Sequence, residues 1–353
     1  MRSTLEAFNA DIEELKIFVE SIEKVFHILI SNSDSTLQAC LNIRKRLDYT
    51  AFIIALYAAL EKYVEDIAWV FTQHESYRYS YRMLSDKLQS KHLRQSADLL
   101  SRGRLGEGRY SGVTELDVVG NLYACLSGND HYKLNRPAIV HHDSNLRSEV
   151  VQSVFNSLGI DNINDQICRS DSMISWFSIS EGLESSSLER VQQAIIDLRL
   201  KDLVDRRNQV AHAGVDMADT MNPSEMRERI DFLQAYGQSI FLILAGIYLY
   251  KYYIEPNAAT RLGLPTEGPY QGGLVVVLGK PSCNLYIGQP IIGIRENRVV
   301  RWGKIVEIQL NDVRVETVGP DSNTEHVGLR SDFKITKGTE LYALAGKDQI
   351  IWE

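Results

Sequence analysis

Hydrophobic residues recur at helical spacing along the first 72 positions of the chain. They predict a first helix, a polar break at SNSDS (31–35), and a second helix from about Leu37 to Thr72. Apolar positions three and four residues apart lie on one face of a helix, which is the pattern of a helix packed on a core. The stripe of the first helix consists of Leu5, Phe8, Ile12, Leu15, Phe18, Val19, Ile22, Val25, Phe26 and Leu29.

Three further helices are predicted from the same spacing and from their end signals. One spans about 146–158, another spans about 187–213, and a third begins at Asn222 and runs to about Tyr253. The first two are followed by glycine, which is frequent just after a helix, and the third begins with Asn-Pro-Ser-Glu, which is typical of a capped start. Residues 73–145 are less regular and predict shorter helices joined by loops.

From residue 274 the apolar residues alternate along short segments separated by turn residues, a pattern typical of antiparallel strands. Glycine and proline are common in turns and rare inside helices, and 12 of the 23 glycines and six of the eight prolines follow residue 254. The predicted fold class is therefore α+β in two domains. An all-α helical bundle occupies 1–255, a linker 256–273, and a small antiparallel β-barrel 274–353.

Charge, cysteine content and hydropathy narrow the class of protein. The net charge of −8 argues against a surface that coats polyanions, although it is compatible with a local nucleic-acid site. The four cysteines form no CxxC pair, which predicts reduced thiols and no zinc knuckle. The acidic N-terminal segment does not resemble a secretion signal, and the apolar run 240–250 is roughly half a membrane span. We expect a cytoplasmic protein without membrane contact.

The strongest candidate for chemistry lies in LKDLVDRRNQVAHAG (200–214). Five apolar residues would form one stripe of a helix, and Arg207 occupies a position that continues this stripe. Because burying an unpaired charge costs free energy, an arginine there needs a charged or hydrogen-bonding partner, or has a functional role. Asn208 and His212 are four residues apart and share a face, and the dipole at a helix C-terminus favours imidazolium. The five apolar residues are Leu200, Leu203, Val204, Val210 and Ala211.

Residues 207–212 read R-N-x-x-x-H, which resembles the motif of HEPN-domain ribonucleases. The segments YAALEKYVEDIAWVF (57–71) and SNLRSEVVQSVFNSLGI (144–160) also resemble helices of the RiboL-PSP-HEPN branch and of a closely related HEPN branch. The resemblance covers about residues 1–255, with 73–135 matching only loosely.

That resemblance implies metal-independent RNA cleavage, in which the 2′-hydroxyl attacks the adjacent phosphodiester and leaves a 2′,3′-cyclic phosphate and a 5′-hydroxyl. Such a step needs a base, an acid and a cation. Arg207 would stabilise the phosphorane charge, His212 would transfer a proton, and Asn208 would orient the phosphate or the histidine. One histidine cannot act as acid and base in the same step. HEPN enzymes pair two motifs across a dimer, so a homodimer with a composite cleft is expected.

Structural interpretations of the same residues stay open. Arg207 could pair inside the fold with Asp205 or Glu61, and His212 could cap the helix. Glu61 lies in the apolar second helix, where it is equally well interpreted as a positioning partner for Arg207 or as a solvated acid on the helix face. An intact motif is also compatible with a HEPN module that dimerises or binds RNA without cleaving it.

Four further arginines are candidates for RNA contact. Three of them lie in the glycine-rich segment SRGRLGEGRYSG (101–112), which lacks the GxxxxGK[ST] pattern of a phosphate-binding loop and is more typical of a flexible surface loop. The four are Arg206, Arg102, Arg104 and Arg109.

Metal binding is the weakest of the predicted chemistries. His141, His142 and Asp143, with His131 upstream, lack the spacing that directs neighbouring side chains to one ion. We therefore expect no metal and no other cofactor, and EDTA should leave cleavage unchanged.

The segment 300–344 resembles the domain II barrel of translational GTPases, through Val327-Gly328-Leu329 and the turn Lys337-Gly338-Thr339. No GTPase domain accompanies it, so GTP hydrolysis is not implied. In that family the barrel contacts tRNA ends or ribosomal RNA, which points to tRNA or ribosomal RNA as the target. A generic small barrel that contacts other proteins is an equally good interpretation. From Glu255 onward 12 acidic residues face 11 basic ones, which gives RNA no electrostatic advantage over protein as the partner of the barrel. The HEPN resemblance implies a toxin or an antiviral (anti-phage) effector, restrained by an antitoxin or a regulatory protein.

Overall fold

The structure is a computed structural model. It describes residues 1–31, 35–101, 105–106, 110–142, 144–183, 188–212, 219–296, 298–322 and 325–352. Contacts divide the chain into two units, one formed by Met1 with Ser3–Phe241 and the other mainly by Leu242–Glu353. The first unit is helical and the second carries the β-sheet, so the predicted fold class is confirmed.

Among the described residues, ten α-helices precede the strands. Long helices dominate both ends of this region, and the helices between them are shorter, as the irregular pattern of residues 73–145 predicts. They are α1 (Arg2–Ile30), α2 (Ser35–Arg78), α3 (Asp86–Ser101), α4 (Glu115–Ser127), α5 (Arg136–Val140), α6 (Ser148–Asn156), α7 (Ile163–Cys168), α8 (Asp171–Glu181), α9 (Gln193–His212) and α10 (Pro223–Leu249), and a short helix, α11 (Gln349–Trp352), follows the strands.

The start and the apolar body of α10 match the sequence pattern. Asn222 Oδ1 accepts a hydrogen bond from Glu225 N at 3.0 Å, and Asn222 N donates to Glu225 Oε2 at 2.7 Å, which is a capping box. A π-helical turn, Tyr250–Ile254, continues the helix. By length and hydropathy alone the described segment Pro223–Ile254 could cross a membrane, but 67% of its most apolar window is buried within the protein, as in the core helices of soluble proteins.

The core of the helical unit forms where α1, α2 and α10 meet. The predicted stripe of α1 is buried at Leu5, Phe8, Ile12, Leu15 and Val19. The ring of Phe8 stacks on Tyr63 with centroids 4.3 Å apart, and Tyr63 donates to the Gly237 carbonyl at 2.7 Å. A Cβ at Gly237 would lie 2.4 Å from Phe8 Cε1, so only glycine allows this close approach.

A buried histidine joins α3 to the start of α5. His92 is fully buried, and its Nε2 accepts a hydrogen bond from Asn135 N at 2.9 Å. The ring must therefore be neutral at Nε2, which places its proton on Nδ1, 3.3 Å from the Tyr81 hydroxyl. Burial lowers the pKa of His92 from 6.5 to about 4.

Acid is expected to destabilise the protein through this histidine. In the unfolded chain His92 titrates near 6.5 and in the folded protein near 4, so between these values the unfolded state binds more protons. The stability contributed by the neutral ring is complete above pH 6.5 and is lost as the pH falls toward 4, by at most about 3 kcal/mol. Urea unfolding at pH 7.0 and 4.5 should show a smaller loss for His92→Gln than for the wild type. A matched change at the exposed His131 (His131→Gln) should keep the wild-type loss, and equal losses in all three proteins would refute the assignment.

The C-terminal unit is built from short antiparallel strands. Eight of them form one sheet in the order β1-β10-β5-β6-β9-β3-β2, with β7 paired to β6, and β4 and β8 form a separate pair. Their bounds are β1 (Thr260–Gly263), β2 (Glu267–Tyr270), β3 (Val275–Leu278), β4 (Leu285–Tyr286), β5 (Pro290–Arg295), β6 (Arg298–Leu310), β7 (Val313–Val315), β8 (Thr317–Val318), β9 (Val327–Ser331) and β10 (Glu340–Ala343).

Two features of this sheet differ from the sequence prediction. The sheet curls into a half-barrel, whereas the sequence predicted a closed barrel. Among the described residues its terminal strands β1 and β2 do not pair with each other, so the barrel stays open. Residues 256–273, predicted as a linker, contain β1 and β2, which pair with β10 and β3. Their glycines and prolines suggested a linker, but short edge strands tolerate both residues.

Candidate active site

Helix α9 carries the R-N-x-x-x-H segment and packs on α2, α6 and α7. Its buried face ends earlier than predicted. Leu203 and Val204 are buried, but Val210 is only half-buried and Ala211 is exposed. The predicted stripe is therefore wrong in its last turn, because the end of the helix extends beyond the packed core. Arg207 consequently lies at the edge of the core rather than inside it.

Arg207 is half-buried over an aromatic ring. Its guanidinium carbon is 5.3 Å from the centroid of the Tyr57 ring, and its Nη1 donates to Asn208 Oδ1 at 3.3 Å. Within the described part of the chain it makes no ion pair. Asp205 instead pairs with Arg147 at 2.7 Å and with Lys201 at 3.1 Å. The guanidinium is thus held against a ring face, and no acidic residue in the described ranges pairs with its charge.

Asn208 is also held by the segment before α6. Asn145 Nδ2 donates to Asn208 Oδ1 at 2.9 Å. The Tyr57 hydroxyl lies 3.4 Å from Asn145 Oδ1 and accepts a hydrogen bond from Leu146 N at 3.1 Å. Burial is the main cause that raises the pKa of Tyr57 to about 12, so its hydroxyl stays protonated. Tyr57 and Asn145 were not predicted as site residues, although both lie in the segments that resemble HEPN helices.

His212 is exposed and is the last residue of α9. Its position in the last turn agrees with the prediction, and it lies one turn beyond Asn208 on the same helix face. Among the described residues its ring makes no hydrogen bond. Residues 213–218, which follow it, lie outside the described part of the chain.

Glu61 contacts Tyr57, the residue whose ring lies under Arg207. Its Oε1 is 3.3 Å from the Tyr57 hydroxyl, and no ion pair with Arg207 is present among the described residues. Glu61 and Arg207 thus contact the same tyrosine, Glu61 at its hydroxyl and Arg207 over its ring. Beside it a cleft of about 610 Å³ is lined by Glu61, His142, Ser144, Asn145, Arg147, Glu149, Val150 and Val204.

Comparison with known protein families identifies the helical part of the chain. The model of the family described as RiboL-PSP-HEPN matches residues 11–246, which is well over half of the 353 residues and contains every helix that builds the cleft. The chain belongs to the RiboL-PSP-HEPN family. A search of curated proteins and a search of solved structures each give no match.

Of the four arginines predicted to contact RNA in this HEPN protein, the structure describes Arg206. Arg206 donates to Asp202 Oδ1 at 2.9 Å, to the Tyr49 hydroxyl at 3.0 Å and to the Asp219 carbonyl at 3.1 Å. Its Nε and Nη1 are therefore already engaged within the protein. Arg102, Arg104 and Arg109 lie outside the described residues.

The two adjacent histidines of the HEPN domain contact different partners. His141 Nδ1 is 3.4 Å from the Tyr110 hydroxyl. His142 lies on the cleft wall, where its Nε2 is 3.2 Å from Glu65 Oε1 and 3.8 Å from Glu61 Oε1. The Glu65 carboxylate is the main cause that raises the pKa of His142, against the effect of burial. Asp143 lies outside the described residues, and Glu65 was not among the predicted site residues.

Proposed function

We propose that this HEPN protein is a metal-independent endoribonuclease that cleaves RNA by attack of the 2′-hydroxyl on the adjacent phosphodiester. The products would be a 2′,3′-cyclic phosphate and a 5′-hydroxyl. The observation that carries the proposal is the state of Arg207, which is half-buried, supported by Tyr57 and Asn208, and not paired with an acid among the described residues. A guanidinium held in this way can take a phosphate oxygen without first breaking an ion pair.

The roles follow from what each side chain offers. Arg207 would stabilise the charge of the phosphorane, as a fixed cation does for a developing oxyanion. Asn208 Nδ2 would orient the phosphate, because Asn208 Oδ1 already accepts from Asn145 and Arg207. His212, exposed at the helix end, would transfer a proton.

A second histidine is needed, because one imidazole cannot give and take a proton in the same step. We propose that a second copy of this chain supplies it in a homodimer with a composite cleft. Analytical ultracentrifugation of the active protein tests this. A two-fold mass is the expected result, and an active monomer would contradict the dimer.

The half-barrel is proposed to select the substrate. Its resemblance to domain II of translational GTPases supports tRNA or ribosomal RNA as the target, and the HEPN resemblance supports the role of a toxin or anti-phage effector restrained by an antitoxin or regulatory protein. In this proposal the helical unit catalyses cleavage and the half-barrel determines which RNA is bound.

Incubation with tRNA and total RNA in the presence of EDTA tests the proposed activity. We expect discrete fragments at saturating RNA without added metal, because Arg207 and His212 supply the charge and the proton transfer. Gel electrophoresis with sequencing of the fragment ends gives the readout. Binding of RNA without any cleavage would contradict the proposal and favour the alternative of a non-catalytic RNA-binding HEPN module.

A further inference from the structure

One cluster beside the cleft has the composition and geometry of a metal site. Glu61 and Glu65 are four residues apart on α2, so they lie one turn apart on the same face. His142 approaches them from the segment between α5 and α6. One ligand atom from each residue lies within 4.8 Å of the others.

The orientation of His142 is the second observation. Its side chain is only 7% exposed. Its Nδ1 lies 2.7 Å from the Ser144 carbonyl oxygen, which can only accept a hydrogen bond, so Nδ1 carries a proton. In the neutral ring Nε2 then presents a lone pair, and a backbone carbonyl that fixes the tautomer in this way is usual for metal-binding histidines.

The buried Nε2 has no hydrogen-bond partner of acceptable geometry. It lies 3.2 Å from Glu65 Oε1 and 3.8 Å from Glu61 Oε1, so it points between the two carboxylates without being aligned with either. Ligands about 2.1 Å from a tetrahedral ion are separated by about 3.4 Å. The observed separations lie on either side of this value.

We propose that Glu61, Glu65 and His142 bind a divalent first-row transition-metal ion on the wall of the cleft. Two carboxylates and one imidazole match Zn²⁺ and its neighbours, whereas Mg²⁺ and Ca²⁺ prefer ligand sets made of oxygen alone. Glu61 and His142 both line the cleft, so the remaining coordination positions of the ion face it. The ion also offsets the negative charge that the two carboxylates bring to a partly enclosed wall.

The ion would act on its surroundings by fixing Glu61. The Tyr57 hydroxyl is 3.3 Å from Glu61 Oε1, and the Tyr57 ring carries Arg207. Bound metal therefore orders the residues that hold Arg207, without being required for chemistry. The site goes beyond the proposed nuclease activity and exists whether or not the protein cleaves RNA.

Metal titration of the full-length protein, stripped with EDTA and then freed of the chelator, tests the site without RNA. We expect one equivalent of Co²⁺ to bind with a visible absorption band, Zn²⁺ to displace it, and Mg²⁺ at the same concentration to leave it bound. Glu65→Gln and His142→Gln should each weaken Co²⁺ binding at least about 10-fold, because the loss of a residue that merely orients a ligand already costs about that much. Glu149→Gln, which removes another carboxylate from the cleft lining, is the matched control and should bind Co²⁺ like the wild type.

Two results would overturn the proposal. One is the absence of saturable Co²⁺ binding to the wild type, and the other is equal weakening by Glu149→Gln and the two ligand variants. Pulsed EPR of Mn²⁺ bound to the wild type gives a readout that needs no folded variant. Coupling to one imidazole nitrogen is expected, and its absence would also refute the site.

Discussion

Replacing Arg207 or His212 with alanine is expected to abolish RNA cleavage and to leave the fold intact. Loss of a fixed charge at a developing oxyanion typically costs 10²- to 10³-fold in rate, and loss of a general acid or base about 10²- to 10⁴-fold. His212 is exposed, and among the described residues Arg207 loses a ring contact and one side-chain hydrogen bond, so neither change should cost more than about 2 kcal/mol of stability.

Rates of single-turnover cleavage with the two variants provide the measurement. Lys201→Ala removes an exposed cation from the same helix, and His131→Ala removes an exposed histidine elsewhere in the helical unit, so both should cleave like the wild type. Thermal denaturation shows whether each protein is folded. Cleavage at the wild-type rate by either Arg207→Ala or His212→Ala would remove that residue from the mechanism.

A single 2′-deoxyribose on the 5′ side of the cleaved bond is expected to block cleavage at that bond. The proposed nucleophile is the 2′-hydroxyl of that sugar, and no other group on the RNA can form the 2′,3′-cyclic product. Because the phosphate and the neighbouring bases are unchanged, binding should be nearly unaffected. The effect should therefore fall on the rate at saturating RNA rather than on affinity.

Synthetic oligonucleotides that contain the mapped cleavage site allow this comparison. One carries the deoxyribose at the cleaved bond and a control carries it two residues away. The control should be cleaved at the normal rate. Efficient cleavage of the first oligonucleotide would show that the attacking oxygen comes from water, and would exclude the proposed mechanism.

Local signals in the sequence were sufficient to predict the long helices and the main strands. The apolar stripe of α1 and the capping residues Asn222 and Glu225 each depend on neighbours within a few positions. The structure confirms the cap and buries the stripe as far as Val19, whereas Phe26 near the end of α1 is exposed. The same holds for the alternating segments that became β3, β5, β6, β9 and β10. Fold class could therefore be predicted from periodicity and turn residues.

The features that the sequence did not predict depend on contacts between residues far apart in the chain. β1 and β2 are short and contain glycine or proline, so only their partners β10 and β3 make them strands. Ala211 continues the apolar stripe of α9 in sequence, but it lies in the last turn of that helix and is exposed. Periodicity shows which residues share a face but not where the packing against that face ends.

The motif residues of the candidate site could be predicted from the sequence, but the residues that hold them in place could not. Arg207, Asn208 and His212 follow from a local pattern, and their roles stay predictions until cleavage is measured. Tyr57 and Asn145 come from distant segments, and only the fold brings their side chains to Asn208 and Arg207. His142 looked like one of two adjacent histidines with no ligand spacing, because its partners Glu61 and Glu65 lie about 80 residues earlier in the chain.

Chemical mapping of the RNA ends tests the central claim most directly. The wild-type protein and His212→Ala are incubated with tRNA and total RNA, and the fragment termini are identified by mass spectrometry. The account predicts 5′-hydroxyl and 2′,3′-cyclic phosphate ends from the wild type and no fragments from His212→Ala. Fragments with 5′-phosphate and 3′-hydroxyl ends, or identical fragments from both proteins, would contradict it.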